Sequence, residues 1–579
     1  MSTLLEQASL VMIPSGYKED VVYSQIPTDG AGDLSFTRAS NGTRTNSAGL
    51  VEVCPWNLVE QSETFDNVIW GKEFTTITVN NITAPNGTLT ADRFTLGVGT
   101  EQKFVYQLAN QNGSYTQSVY LKKGTHTFAQ LAVGGDVNPY CNFDLTNGTF
   151  SAVGSTATMT NVGDEWYRCT MTYSTSIGTY VFIFATNSLS SARTAQTSST
   201  GNFYAWGFQL NIGSTAKPYF PTTDRLNVAR LTYQNGGGGC PSLLLEKQST
   251  NLAQYSEQFD NAYWSKTNAT ISANNTTSPD GTQNADLIIA DTTNGVHQFR
   301  TTISSVTAQN YTMSIFAKKS GINFIRFWED GQTGKQCYFN LNTGVATNVD
   351  MTSVSIENIG NGWYRCIAVV PIPASGVFGF RVLVSQDGSA TAYAGNGTDG
   401  IFVWGAQLEA SSYPTSYIPT TSSSATRVAD ACSKTGISSL IGQTEGTLFV
   451  DINYLPHEAQ SIFAIEDWVA NSTVIRILSD TSTSLGAQVF QGGNQYTATF
   501  NTAVVGQRYK CALAYKANDF AFYVNGTQVS TSSSGTVPTT SNVRFGAFLS
   551  GQTMDGQINQ AVLFKTRLTN AELASLTTI

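Results

Sequence analysis

The stretch NLVEQSETFDNVIW (residues 57–70) returns as NLAQYSEQFDNAYW (residues 251–264), an offset of 194. Extended without a gap to Asp92 and Asp286, the two copies share 19 of 36 residues, including Lys72/Lys266, Asn81/Asn275, Pro85/Pro279 and Gly87/Gly281. Identity at that density is a duplication. Downstream, YTQSVYLKK at Tyr115 answers YTMSIFAKK at Tyr311, DEWYRC at Asp164 answers NGWYRC at Asn361, and FYAWGFQL at Phe203 answers IFVWGAQL at Ile401. The offset drifts to 196, 197 and 198, as small loop insertions would make it. A repeated unit of about 170 residues is too long for a solenoid repeat and has the size of a domain.

Within each copy, short runs rich in Thr, Val, Tyr and Phe alternate with Asn-Gly or Asp-Gly pairs such as Asn86-Gly87, Asp280-Gly281 and Asn361-Gly362. Those pairs accept the positive φ of tight hairpin turns. No run inside either copy carries helical periodicity over 12 residues or more. The pattern predicts an all-β chain in which each copy is an antiparallel jelly-roll sandwich of roughly eight strands.

Composition narrows the function. Only 12% of residues are charged, against about 25% in an ordinary protein, and the net charge is −9. A neutral, hydroxyl-rich, slightly acidic surface has no basic stripe for nucleic acid. The N-terminus lacks the basic and apolar regions of a secretory signal, and no apolar run reaches the roughly 18 residues of a membrane span. The expectation is a soluble product made in the cytoplasm, with no membrane insertion. Eight cysteines are scattered without a CxxC, and four recur at equivalent positions, Cys141/Cys337 and Cys169/Cys366. Buried thiols are one reading. Disulfides joining Cys141 to Cys169 and Cys337 to Cys366 are the other.

The chain divides into 1–50, which has no counterpart before the second copy; the first jelly roll, 51–224; a joint, 225–250, with four glycines at Gly236 to Gly239; the second jelly roll, 251–421; a polar connector, 422–445; and a C-terminal domain, 446–579. The joint is expected to be flexible. The first segment is read either as a piece that docks on something larger or as a strand-adding extension of the first roll. ASLVMIPS within it suits a buried strand, though Thr3-x-x-Glu6 could cap a short helix. In the last domain Asn525-Gly526 marks a hairpin, and Thr569-x-x-Glu572 opens a short helix with Leu573 and Leu576 on its apolar side.

YVNG in a strand, preceded by RYKCALAY and followed by AVLFKTRLTNAELASL, makes 446–579 resemble a concanavalin A-like (laminin G-like) lectin sandwich. The NGWYRC and FVWGAQLE strands look like those of jelly-roll carbohydrate-binding modules. The whole chain, with FTRASNGTRTNSAGLVEVCPWNL and GGCPSLLLEKQSTNL, resembles virion fibre and spike proteins of tailed bacteriophages, including crAss-like phages. That resemblance implies an extended, multidomain, homotrimeric head or tail fibre located in the virion. Residues 1–50 would attach to other capsid or tail proteins, and the sandwiches would display sites for bacterial surface glycans. A capsule depolymerase and a secreted glycan-binding protein are the competing readings.

Catalysis has little to stand on. His126, His297 and His457 are far apart in sequence, and the paired carboxylates of a glycosidase strand are missing after Glu466-Asp467. The chain is read as a non-enzyme without cofactor or metal, although calcium is common in both resembled sandwich families. Sugar binding wants an exposed aromatic plane beside groups that can bond hydroxyls. Six of nine tryptophans fall into repeat pairs (Trp70/Trp264, Trp166/Trp363, Trp206/Trp404) and read as framework, leaving Trp56, Trp328 and Trp468. At the offset of 196, Arg326 and Trp328 replace Gln130 and Ala132. Strand alternation places them on one face, opposite Ile325 and Phe327. Arg326, Trp328 and Trp468 are therefore the candidate glycan-binding residues. The alternative is that the Arg326–Trp328 face turns inward or fills a subunit interface.

Overall fold

The computed structural model describes residues 2–135, 139–234, 236–388, 392–455, 460–467, 473–481, 483–546 and 555–579. The chain is 55% strand and 2% helix, so the all-β expectation holds. It forms two compact units, one of Cys54–Arg225 with Gly281–Asn284, the other of Met1–Val53, Leu226–Asp280 and Ala285–Ile579.

In the first unit, two 20-residue strands, Phe104–Lys123 and Trp166–Ala185, pair antiparallel along their length. Register shifts at Leu108, Gln111 and Gly113 break the ladder, and a shift of that kind bends a strand and raises its twist. The second roll splits the same strands in two, His297–Val306 with Gln309–Ser320 and Trp363–Ile372 with Gly376–Ser385. It accordingly has two six-stranded sheets enclosing one core, in which Phe299, Met313, Ile325 and Val382 are fully buried.

The repeated motif turns out to be the lasso that closes each roll. Asn57 Nδ2 donates to the carbonyls of Phe208 and Phe220, both at 3.0 Å, and Asn251 Nδ2 to those of Ala406 (3.0 Å) and Ile418 (2.8 Å). Trp70 and Trp264 donate their indole N–H to Gln61 and Tyr255 carbonyls. Asp92 and Asp286 each accept two backbone N–H groups. Tyr417 Oη donates to Glu257 Oε1 at 2.9 Å, as Tyr219 does to Glu63 at 3.0 Å. All six paired tryptophans are buried, and Cys141, Cys169, Cys337 and Cys366 are buried free thiols.

The segments between the rolls differ from expectation. Residues 1–50 are neither a separate arm nor an extension of the first roll, because they complete the C-terminal sandwich. Leu10–Met12 pairs with Gly556–Phe564, and Leu34–Thr37 pairs with Ala431–Lys434, which continues to Asn542–Phe545. The buried strand is Leu10–Met12; a single helical turn, Ser2–Leu5, precedes it, and Thr3 lies within that turn and not at its cap. The joint supplies Arg230–Thr232 and Ser242–Leu245 to the sheet that holds Leu10–Met12 and Gly556–Phe564. Its glycines are not slack: Gly236 to Gly239 all hold positive φ. A Cβ on Gly237 would lie 2.4 Å from the Gly49 backbone nitrogen. The hairpin at Asn525-Gly526 and the Thr569–Glu572 capping box are as expected.

At the meeting point of these segments lies a buried ionic network. Arg38 reaches Asp430 (2.9 Å); Arg230 reaches both Asp430 and Glu246 (2.6 Å to the latter); Arg427 reaches Glu246 (3.1 Å). Every side chain involved is at most 6% exposed. Burial would raise the Glu246 pKa, but Arg427 and Arg230 overrule it and hold the carboxyl at about 2.

Arg230→Met should destabilise this unit by about 3–5 kcal/mol, the cost of stranding buried charge, read as a fall in denaturant midpoint; an unchanged midpoint would show the pairs to be dispensable. Deleting residues 1–50 should likewise expose the sandwich core and lower or abolish the cooperative melt, whereas a full-amplitude melt at the parental temperature would contradict the pairing described. Glu257 offers a pH test. Burial and Asp280 push its pKa up to about 8 from 4.5, so the folded state holds a proton that the unfolded state releases. Its contribution to stability is complete below about pH 4.5 and is lost as pH rises towards 8. Glu257→Gln should lose less stability than the parent between pH 5 and pH 8.5 in calorimetry, and equal losses would refute the assignment.

Candidate functional site

Strand pairing lays out the outer face of one sheet of each roll as rows. In the second roll one row runs Ser265, Arg300, Arg381, Trp328, Gln336, and the next runs Thr267, Gln298, Leu383, Arg326, Tyr338. Ile325 and Phe327 are fully buried in the core, so Arg326 and Trp328 do lie on the opposite face. They do not form an exposed pair. Arg326 is 7% exposed and donates to Gln336 Oε1. The chain after Ser385 closes over that end, with Gly388 so near that a Cβ would sit 2.9 Å from the rings of Phe324 and Tyr338. Trp328 remains half-buried, with the Arg381 guanidinium 4.4 Å from its ring centroid.

Around Arg381 the face is polar. Its Nε donates to Gln298 Oε1, and Asp330 Oδ2 lies 3.5 Å from Arg381 Nη1 and 3.1 Å from Arg300 Nη1. Asp330 is aimed by a turn that Glu329 organises, accepting from the backbone N–H groups of Gly331, Thr333 and Gly379. Those bonds favour the ionised form and hold Glu329 below its usual range against the effect of its burial.

The first roll carries different residues in the same rows: Gly71, Tyr106, Phe182, Ala132, Tyr140, then Glu73, Phe104, Phe184, Gln130, Asn142. Gln130 is fully buried and spends its amide on Asn142, the Ala192 carbonyl and the Thr194 N–H, pinning a loop over one end. Beside that loop an open groove of about 530 Å³ is lined by Phe74, Phe104, Tyr106, Tyr180 and Phe182, with Glu73, Glu101, Gln102 and Gln196 at its rim. Tyr106 packs 5.5 Å from Tyr180 and 5.8 Å from Phe182, in tilted or edge geometry. Gly71 is required because a Cβ there would come within 2.3 Å of the Tyr106 ring.

Phe74 is the odd residue. It is 52% exposed and holds φ of 44°, a left-handed conformation that a bulky side chain adopts at a cost of about 1–3 kcal/mol. The second roll puts Asn268 at the equivalent turn, with φ of 50°, and asparagine tolerates that region. The sequence signal for the groove is weak because its rings lie in FVYQL and YVFIF, where apolar residues stand on both faces of the strand and only Gln107 interrupts them. Comparison with QFRTT and GFRVL in the second copy would have exposed it.

Trp468 and His457 lie outside the described residues. Near Trp468 in sequence, Glu466 is buried, and its pKa is pushed up to about 7 although Arg544 lies 3.1 Å away and Arg476 also opposes the shift. Trp56 packs on Phe220 and donates to the Pro218 carbonyl. His126 and His297 are buried and bonded to neighbouring carbonyls. Among the described residues no group of His, Cys, Asp or Glu is placed to hold a metal.

Comparison with known proteins adds one family. Residues 447–574 match the concanavalin A-like lectin/glucanases superfamily, in agreement with the resemblance read from 446–579. No curated protein matches the chain. Among solved structures, the chain is similar to the CBM40 of the Ruminococcus gnavus IT-sialidase bound to α2,3-sialyllactose (16% identity, 24% of this chain and 86% of that one, TM-score 0.22). It is also similar to domain 4 of AbnA, a GH43 extracellular arabinanase from Geobacillus stearothermophilus, in complex with arabinotriose (13%, 29% and 82%, 0.22). A third is mouse laminin α1 chain domains LG4-5 (11%, 46% and 86%, 0.18). Scores this low carry no further argument; the family conclusion is that residues 447–574 form a concanavalin A-like sandwich.

Proposed function

We propose that this chain is a non-enzymatic glycan-binding protein and that the groove of the first jelly roll is a ligand site. The observation that carries the reading is Phe74, a half-exposed aromatic held at positive φ beside four further rings. Strain of this kind persists where function repays it. Aromatic planes accept the C–H face of a pyranose, and the carboxylates and amides at the rim accept and donate to its hydroxyls. An apolar protein partner would leave Glu73 and Glu101 desolvated without a partner.

The wider setting we infer is a virion fibre of a tailed phage, assembled as a homotrimer and adhering to bacterial surface glycan. Its support is the likeness of FTRASNGTRTNSAGLVEVCPWNL and GGCPSLLLEKQSTNL to such fibres. Because residues 1–50 are folded into the sandwich, attachment to other virion proteins would use the exposed surface of that segment and not a free arm.

Phe74→Asn separates binding from folding. It installs the second roll's residue, so it should raise the melting temperature while weakening glycan binding about tenfold, which is ~1.4 kcal/mol. Phe182→Ala should also weaken binding. Unaltered glycan-array binding by both variants would remove the groove from consideration. For the assembly, light scattering should give three times the 62.2 kDa chain mass, and a stable monomer at micromolar concentration would count against a fibre.

A further inference from the structure

The rows described above show that the duplicated faces have changed chemistry position by position. Strand register equates Tyr106 with Arg300, Phe182 with Arg381, Ala132 with Trp328 and Gln130 with Arg326. Two aromatic rings, an alanine and a glutamine in one roll correspond to three guanidiniums and an indole in the other, within a chain whose net charge is −9.

Two of those guanidiniums are accessible. The Arg300 side chain is 37% exposed and that of Arg381 16%, and both share a single carboxylate, Asp330. Arg381 is held over Trp328, with its Nε committed to Gln298 and one Nη facing Asp330. Arg300 uses one Nη on Asp330 and the other, at 3.5 Å, on Thr302. Each guanidinium has five N–H donors, so donors remain on both that no protein group among the described residues takes. A fixed, planar, partly desolvated fork of this kind suits bidentate recognition of an oxyanion. In this geometry the indole backs Arg381, which gives Trp328 a positioning role towards that guanidinium.

We propose that the second jelly roll binds a saccharide bearing a ring carboxylate, of the uronate or sialate type, with Arg300 and Arg381 receiving the carboxylate and the Gln336 amide flanking the hydroxyls. The proposal rests on the reading of the jelly rolls as glycan-binding domains and adds a ligand class that the first roll does not share.

The test uses the full chain on an array carrying oligogalacturonates, sialyllactose and neutral xylo- and galacto-oligosaccharides, followed by calorimetry on the hits. Binding to an acidic saccharide is expected, falling with added salt, and the two acidic arms tell uronate from sialate. Arg300→Gln with Arg381→Gln should weaken it at least tenfold while binding to any neutral hit is retained. A second variant, Ser265→Gly with Arg300→Tyr and Arg381→Phe, installs the residues the first roll carries at these positions, the glycine making room for the tyrosine ring, so it guards against a loss that reflects misfolding; it should lose acidic binding equally and keep its melting curve. Acidic binding unchanged in both variants overturns the proposal. Binding to neutral saccharides alone overturns it and leaves the groove of the first roll standing. Binding to no saccharide overturns both readings.

Discussion

The three buried arginines and two buried carboxylates that meet beside the C-terminal sandwich hold the larger unit to one arrangement. Arg38 comes from the start of the chain, Arg230 and Glu246 from between the rolls, Arg427 and Asp430 from the connector after the second roll. Arg230 and Glu246 pair within one segment, but Arg38, Arg427 and Asp430 meet their partners only when the other segments arrive. Ser416 of the second roll joins them, its N–H and hydroxyl both 2.6 Å from Glu246, so the roll is fastened to the same point. Buried ion pairs contribute little net stability compared with packed apolar groups, yet a mispaired one is severely penalised. The network thus acts as a registration device more than as glue.

The duplication separates framework from face. Asn57/Asn251, Ser62/Ser256, Glu63/Glu257 and Trp70/Trp264 stand in both copies because each satisfies buried backbone or tyrosine hydroxyl groups or fills the core, and losing any would leave an unpaired polar atom or a cavity. Tyr106 and Arg300 are free to differ because one side of their strand meets solvent. Divergence in such a pair is therefore more informative about ligands than identity is.

That logic also explains what could be read from the sequence. Turn pairs, strand alternation and the repeat revealed the sandwiches, the paired tryptophans as core, and the side of the strand on which Arg326 and Trp328 lie, since all of these are local or periodic. The burial of Arg326 was not legible, because it depends on where the chain after Ser385 folds back. Nor were the contributions of Leu10–Met12 and Ser242–Leu245 to a sheet hundreds of residues away. Gly236 to Gly239 look like slack in composition, whereas each holds positive φ, Gly237 approaches Gly49 and the Gly238 N–H donates to the Ser47 carbonyl, so this exposed turn is docked on residues 47–49. Composition reports how many conformations a segment could adopt; only tertiary contacts decide which it keeps.

The pairing of Leu10–Met12 with Gly556–Phe564 has a consequence for biosynthesis. Ribosomes add about 5–20 residues per second, so the opening strand emerges roughly half a minute to two minutes before its partner exists. In that interval the first jelly roll, contiguous from Cys54 to Arg225, can fold as it leaves the tunnel. The sandwich cannot close until Gly556–Phe564 has emerged. Its early strands meanwhile present uncovered edges and apolar side chains, so a nascent chain of this design depends on being kept from its neighbours on the same polysome.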